Sequence, residues 1–317
     1  MGTIIYYDDK ENKHMLSEEQ RIKMLDIPEG HIDMVLDTDA YNEIDDQFAI
    51  SYAMRATEKL SVKAIYAAPF HNDRSCGPAD GMEKSYNEIL NLLELAGLSV
   101  EVYRGSDAYL PGEEIPVISP AAQDLAKRAM TYTAEAPLYV VAIGAITNVA
   151  SALLINPEIA DKIVVVWLGG HAVEWPHNAE FNCMQDVAAA RVVFGSGAPL
   201  VMLPCMGVVS AFTVSGPELH YWLDNKNALC DYLVKHTEEA ANEYAKGRVW
   251  SRVIWDVSTI GWLLNDKSRL ELSKLINTPI PQYDHHWSFD SSRPLCRYVY
   301  HINRDALLSD LFAHIAQ

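Results

Sequence analysis

The sequence predicts a single α/β domain whose mostly parallel central sheet is flanked by helices, with its ligand site at the carboxyl ends of the strands. Three observations carry that expectation. Short, largely apolar runs at 62–68, 137–143, 163–168 and 199–203 have the length and composition of buried strands. Polar loops or helical patterns follow them. The 317 residues, 49% of them hydrophobic, suffice for one large core, and no linker composition divides the chain. Residues 1–30 read as an N-terminal arm with a short helix laid on a main domain of residues 31–317.

The arm's helix spans 15–25, with Ser17 as cap, Gln20 three residues on, and Pro28-Glu29-Gly30 as the stop. Residues 34–36 end a buried strand, and Phe48, Ala49, Ile50, Tyr52 and Ala53 place a helix over 46–57. After the strand at 62–68 comes a long polar loop, then a helix over 79–96 that Gly97 closes. The strand at 137–143 runs into GAITN and another helix, while the strand at 163–168 meets Gly169-Gly170 and a polar loop. Asp186 is placed to cap the helix that carries 188–193. Beyond the strand at 199–203, residues 217–246 are mostly helical, 251–257 open a helix reaching 264, and the tail forms a final strand and closing helix.

A formal net charge of −18 argues against nucleic acid as a partner, because a phosphate backbone needs a basic surface. No apolar run has membrane length, and the N-terminus lacks the charged-then-apolar design of a signal peptide, so the expected location is the cytoplasm, away from membranes. The five cysteines are odd in number and show no C-x-x-C spacing, which suggests neither a disulfide framework nor a zinc site.

The stretch VLDTDAYNEIDDQFAI, residues 35–50, concentrates Asp37, Asp39, Glu43, Asp45 and Asp46 between an apolar strand end and an apolar helix pattern. So many carboxylates repel one another unless something cationic neutralises them, and an all-oxygen donor set favours Ca²⁺ or Mg²⁺. The helix dipole accounts for Asp45 and Asp46, but not for Asp37 and Asp39. An EF-hand does not fit, since Asn42 would stand where its turn Gly belongs and Phe48 where its bidentate Glu belongs. A haloacid-dehalogenase-type phosphatase also uses D-x-D after a strand, with Asp37 as nucleophile and Mg²⁺ as cofactor.

DTDAYNEIDD resembles the D-x-D-P-G-x-D-D signature of the inosine-uridine nucleoside hydrolase family, with two extra residues between the acid pairs and no Pro-Gly. GAITNVA is similar to the family's G-P-L-T-N, AEFN after Gly169-Gly170 to its A-E-F-N, and Trp255-Asp256 to its last acidic motif, all in the family's order. The resemblance runs from about Asp33 to the C-terminus and makes residues 31–317 the catalytic domain. It implies hydrolysis of the N-glycosidic bond of a ribonucleoside, modified or not, to ribose and free base, and hence nucleoside salvage. It also implies Ca²⁺ held by Asp39, Asp46, the Ile143 carbonyl and Asp256, with Asp39 as the base that activates water. Asp45 would bind ribose hydroxyls, Glu180, Asn182 and Asn178 the 5′ side, and either His71 or Asn72 the ribose, with Asp37 and Asn42 in support. The nucleoside is the expected small-molecule partner, and a homodimer or homotetramer the expected assembly.

The residue before the last acid is a His in the family's broad-specificity branch, where it protonates the departing base. Here it is Trp255. Indole has no titratable proton near neutral pH, so either Trp255, with Trp175, walls the base by stacking, or His71, His171 or His177 supplies the proton. Two other functions remain open at this point: the Mg²⁺ phosphatase, and a calcium-dependent sugar-binding protein without turnover.

Overall fold

Residues alternate between two cores along the central strands, which explains why their sequences are apolar throughout rather than every second residue. In the computed structural model, which describes residues 16–317, Met34 and Leu36 face one core and Val35 the other; Val164 and Val166 are likewise opposed to Val165 and Trp167. The strands concerned are β1 (Ile32–Thr38), β2 (Leu60–Ala67), β3 (Glu101–Arg104), β4 (Leu138–Ala142), β5 (Ile163–Leu168) and β6 (Leu200–Leu203). Two short ribbons pair β7 (Thr213–Val214) with β8 (Arg252–Val253), and β10 (Ile280–Pro281) with β11 (Trp287–Ser288). With β9 (Glu271–Asn277) and β12 (Leu295–Ile302), the main sheet has eight strands in the order β3-β2-β1-β4-β5-β6-β12-β9. Every neighbouring pair is parallel except β12 with β9.

That order reverses direction between β1 and β4. Asp37 of β1 lies opposite Tyr66 of β2 on one side and Ala142 of β4 on the other. In open parallel sheets such a reversal leaves a crevice beyond the strand ends. Asp39 comes directly after the end of β1, and Ile143 directly after the end of β4, so both stand at this crevice.

The described helices are α1 (Glu18–Met24), α2 (Asp45–Arg55), α3 (Pro78–Ala96), α4 (Pro120–Arg128), α5 (Thr147–Ile155), α6 (Phe181–Gln185), α7 (Val187–Gly195), α8 (Gly216–Leu223), α9 (Ala228–Ala245), α10 (Val257–Leu263) and α11 (Arg304–Ile315). Residues of α4, α5 and α7 pack into one core; those of α2, α3, α9, α10 and α11 pack into the other. In α2, Phe48, Ala49, Ile50, Tyr52 and Ala53 are buried. Each large apolar side chain buried in this way contributes about 1.5–3 kcal/mol, which offsets the cost of burying Asp45 and Asp46 in the same helix.

The fold agrees with the sequence expectation of a mixed α/β domain with a mostly parallel sheet. The Ser17–Gln20 capping box of α1 is present, and Asp186 caps α7 by accepting from the Ala189 amide at 2.9 Å; Met15 lies outside the described residues. Arg297 of β12 anchors the segment that follows α1, donating to the Leu25 carbonyl and pairing with Asp26 at 2.7 Å. Sequence patterns passed over β3, α4 and β9. β3 and β9 are edge strands, half-exposed and without a continuous apolar run. No helix among the described residues is long and apolar enough to cross a membrane.

Candidate active site

The ends of β1 and β4, the first turns of α2 and α10, and the loop after β5 close around a cavity of about 310 Å³. Asp39, Asn42, Glu43, Asp45, Asp46, Asn72, Ile143, Glu180, Asn182, Trp255 and Asp256 line it, together with Leu168, His171, Ala179, Phe181, Cys205 and Met206.

Local backbone chemistry aims the acids. The Asp39 carbonyl accepts the Asn42 amide at 2.7 Å, a tight turn in which Asn72 Nδ2 also donates to Asn42 Oδ1 at 2.7 Å. Asp45 and Asp46 open α2, where the helix dipole favours negative charge. Asp256 sits at the N-cap of α10 yet makes no capping hydrogen bond. Its carboxylate turns instead to α2, and oxygens of Asp45, Asp46 and Asp256 lie within 4.8 Å of one another. Thr38 Oγ1 donates to Asp46 Oδ1 and fixes that side chain.

The electrostatics are unbalanced. Burial, then the charges of Asp46, Asp45 and Glu43, push the Asp39 pKa well above the ordinary carboxylate range. Burial and the neighbouring acids do the same to Asp46 and Asp256, and burial with Glu43 raises Asp45 to about 7. Facing them is Arg252, which pairs with Glu43 at 2.6 Å. Among the described residues, Asp39 Oδ2 and Asp45 Oδ1 are buried with no hydrogen-bond partner. An uncompensated buried charge costs on the order of several kcal/mol, and a divalent cation with oxygen preference is the group this donor set fits.

Asn182 Nδ2 donates to the Ile143 and Leu168 carbonyls, both at 3.1 Å, and so couples the ends of β4 and β5. The Ile143 carbonyl keeps its second lone pair for another partner. Glu180 organises its own loop by accepting from the Gly170, Cys183 and Asn182 amides at 2.8, 3.0 and 3.0 Å. Gly144 keeps Asp39 in place by having no side chain. A Cβ there would stand 3.0 Å from Asp39 Cγ and 3.1 Å from Oδ1. Gly144→Ala is therefore expected to fold but to displace the Asp39 carboxylate, lowering turnover by up to about 10²-fold, the scale of an ångström of misplacement. Turnover measured beside a melting curve checks this, and wild-type kinetics would remove the steric account.

Five residues expected at the site do not line the cavity, Trp175 and His177 among them. Asp37 is buried within β1 with Asn148 Nδ2 donating to Oδ1 at 2.7 Å, and burial raises its pKa to about 7. The phosphatase alternative thus has its nucleophile outside the cavity. His71 is exposed, its amide donating to Gln185 Oε1 at 2.7 Å. Asn178 is buried, and its Oδ1 accepts the His171 amide at 2.7 Å. Nor does any residue of α8 or α9 line the cavity. Glu43 was named among the carboxylates without a role, and Leu168, Phe181, Cys205 and Met206 were not singled out from sequence. The one signal that could have found Cys205 and Met206 is their position just beyond β6, at the carboxyl edge of the sheet.

An acid-lined cavity at the reversal of a parallel sheet defines a class, the α/β enzymes that bind ligands at their strand ends. The chain belongs to the inosine-uridine preferring nucleoside hydrolase family, whose model matches residues 34–307. Among relatives, the pyrimidine-specific ribonucleoside hydrolase RihA of Salmonella paratyphi B is 28% identical over 248 residues, 69% of this chain and 76% of that protein. A purine-preferring ribonucleoside hydrolase from Gardnerella vaginalis superposes with a TM-score of 0.72 at 20% identity, over 90% of this chain and 98% of that one. The type III effector protein XopQ, solved with adenosine diphosphate ribose, gives a TM-score of 0.69 at 16% identity over 94% and 96%.

Proposed function

We propose that this enzyme hydrolyses the N-glycosidic bond of a ribonucleoside by water that Asp39 activates beside a bound Ca²⁺. Membership of the nucleoside hydrolase family supports the reaction class. The observation that carries the mechanism is the pair of buried, unpartnered oxygens, Asp39 Oδ2 and Asp45 Oδ1, in a nucleoside-sized cavity where carboxylates outnumber the facing arginine.

Breaking C1′–N builds positive charge on the sugar, and the carboxylates of Asp39, Asp45, Asp46 and Asp256 stabilise it. Asp46, Asp256, Asp39 and the Ile143 carbonyl would hold Ca²⁺, and the proximity of Asp45 to Asp46 and Asp256 adds it to that set. When bound, the ion lowers the pKa of a coordinated water and orients the ribose diol. Asp39 takes the proton of the attacking water. Asn182 and Glu180 frame the 5′ side, Asn72 and Asn42 border the sugar, and Trp255 walls the base.

A second reading is ribose binding without turnover, for which the XopQ complex with adenosine diphosphate ribose is the supporting comparison. Product release from a nucleoside panel separates the two.

A further inference from the structure

We propose that Arg252 is a positioning residue for the cation site: paired with Glu43, it pins the turn that leads into α2 and so fixes where the Asp45 carboxylate stands. This inference rests on the cation-binding reading of the site. The carboxylates come from two stretches far apart in the chain, Asp45 and Asp46 at the start of α2 and Asp256 just before α10. A donor set split in this way is only as well ordered as the contacts that join its halves.

Two contacts join them here. The Trp255 amide donates to the Asp45 carboxylate, of which Oδ1 keeps no partner among the described residues. Arg252 Nη2 donates to Glu43 Oε2 at 2.6 Å. The turn has need of this second contact. Its first half is closed by the Asn42 amide on the Asp39 carbonyl and braced by Asn72. Its second half ends at Ile44, which stands at the N-cap of α2 without a side-chain oxygen and makes no capping bond. No proline restricts residues 40–44. Arg252, by contrast, is well held. It lies in β8 opposite Val214 of β7, and its side chain is only 18% exposed. The Tyr244 hydroxyl, at the end of α9, accepts from the guanidinium and donates to the Ser251 carbonyl at 3.4 Å. The strap therefore runs from a fixed ribbon to an uncapped turn. Arg252 stands behind Glu43 and does not itself line the cavity, so it acts through Glu43 and Asp45 rather than on the substrate.

Charge and position pull in opposite directions, which makes the role measurable. The Arg252 charge reaches Asp45 and favours its ionised form. By Coulomb's law alone the guanidinium competes with a bound cation, so removing it should tighten calcium binding. A strap does the reverse, because side chains that orient metal ligands contribute about 10–100-fold to metal affinity. Glu43 is 45% exposed, and an ion pair that open to solvent adds little to stability. The effect belongs in metal affinity rather than in melting temperature.

Calcium affinity is measured by titration calorimetry on the full chain for the wild type, Arg252→Gln, Arg252→Lys, Glu43→Gln and the double variant Arg252→Gln with Glu43→Gln. A melting curve in chelator shows that each one folds. Arg252→Gln is expected to weaken Ca²⁺ binding by about 10–100-fold, and Arg252→Lys, which keeps the charge and can still pair with Glu43, by far less. The double variant is decisive, because it removes one charge of each sign and leaves the net charge of the site unchanged. It should bind no better than the weaker single variant, since both substitutions break the same strap. If Arg252→Gln does not fold without its counter-charge, the double variant, which also takes away a repelling carboxylate, carries the comparison. Calcium binding that is unchanged or tighter in Arg252→Gln, or wild-type affinity in the double variant, would overturn the strap while leaving the cation site standing. A wild type that binds no Ca²⁺ would sink the cation-binding reading, and this inference with it.

Discussion

Replacing Asp39 by Asn is expected to leave the protein folded and to abolish most of its turnover. A general base contributes about 10²–10⁴-fold, and the same substitution removes a charge from the cation site, so the combined loss should reach the upper end of that range or pass it. Folding should survive because Asn has nearly the shape of Asp, and because the carboxyl is held there against burial and three neighbouring acids. Removing one of several repelling charges relieves the metal-free fold. Turnover close to wild type would take Asp39 out of the mechanism. A metal-free melting temperature at or above that of the wild type, beside lost activity, is the pattern expected.

The second large effect is a stability that depends on calcium and pH together. In the metal-free protein, burial first and neighbouring acids second raise Asp39, Asp46 and Asp256 well above their ordinary values, and burial with Glu43 brings Asp45 to about 7. Folded-state pKa values above the unfolded one mean stability that is fully present below about pH 4, the unfolded carboxylate pKa. It is lost as pH rises through the folded-state values, about 7 for Asp45. Calcium acts in the opposite sense, because carboxylates bind it only when deprotonated. A cation at a thousandfold excess over its Kd stabilises by about 4 kcal/mol. The gap between melting temperatures with Ca²⁺ and with chelator should therefore widen from about pH 5 to about pH 8. A gap that is absent, or that shrinks as pH rises, would contradict a carboxylate-held cation.

How much of this could be read from the chain depended on what kind of signal each feature leaves. The acids from Asp37 to Asp46 were conspicuous because charge inside an apolar pattern has no packing explanation, and the strand at 163–168 matches β5 end to end because both its faces are buried. Asp256 was harder: a lone Asp before a helix is ordinarily a cap, and only the structure shows that it makes no cap bond and turns to Asp45 and Asp46. Asn178 stands among motif residues in sequence, yet it serves His171 rather than lining the cavity. The half-exposed edge strands β3 and β9 were missed because they carry no continuous apolar run.

The central claim is tested most directly by product analysis. The protein is incubated with Ca²⁺ and a panel of purine and pyrimidine ribonucleosides, with a phosphate monoester alongside, and ribose, free base and phosphate are quantified. The account predicts equimolar ribose and base from at least one nucleoside, abolished by chelator and by Asp39→Asn, with no phosphate released from the ester. Phosphate from the ester without ribose from any nucleoside would contradict it.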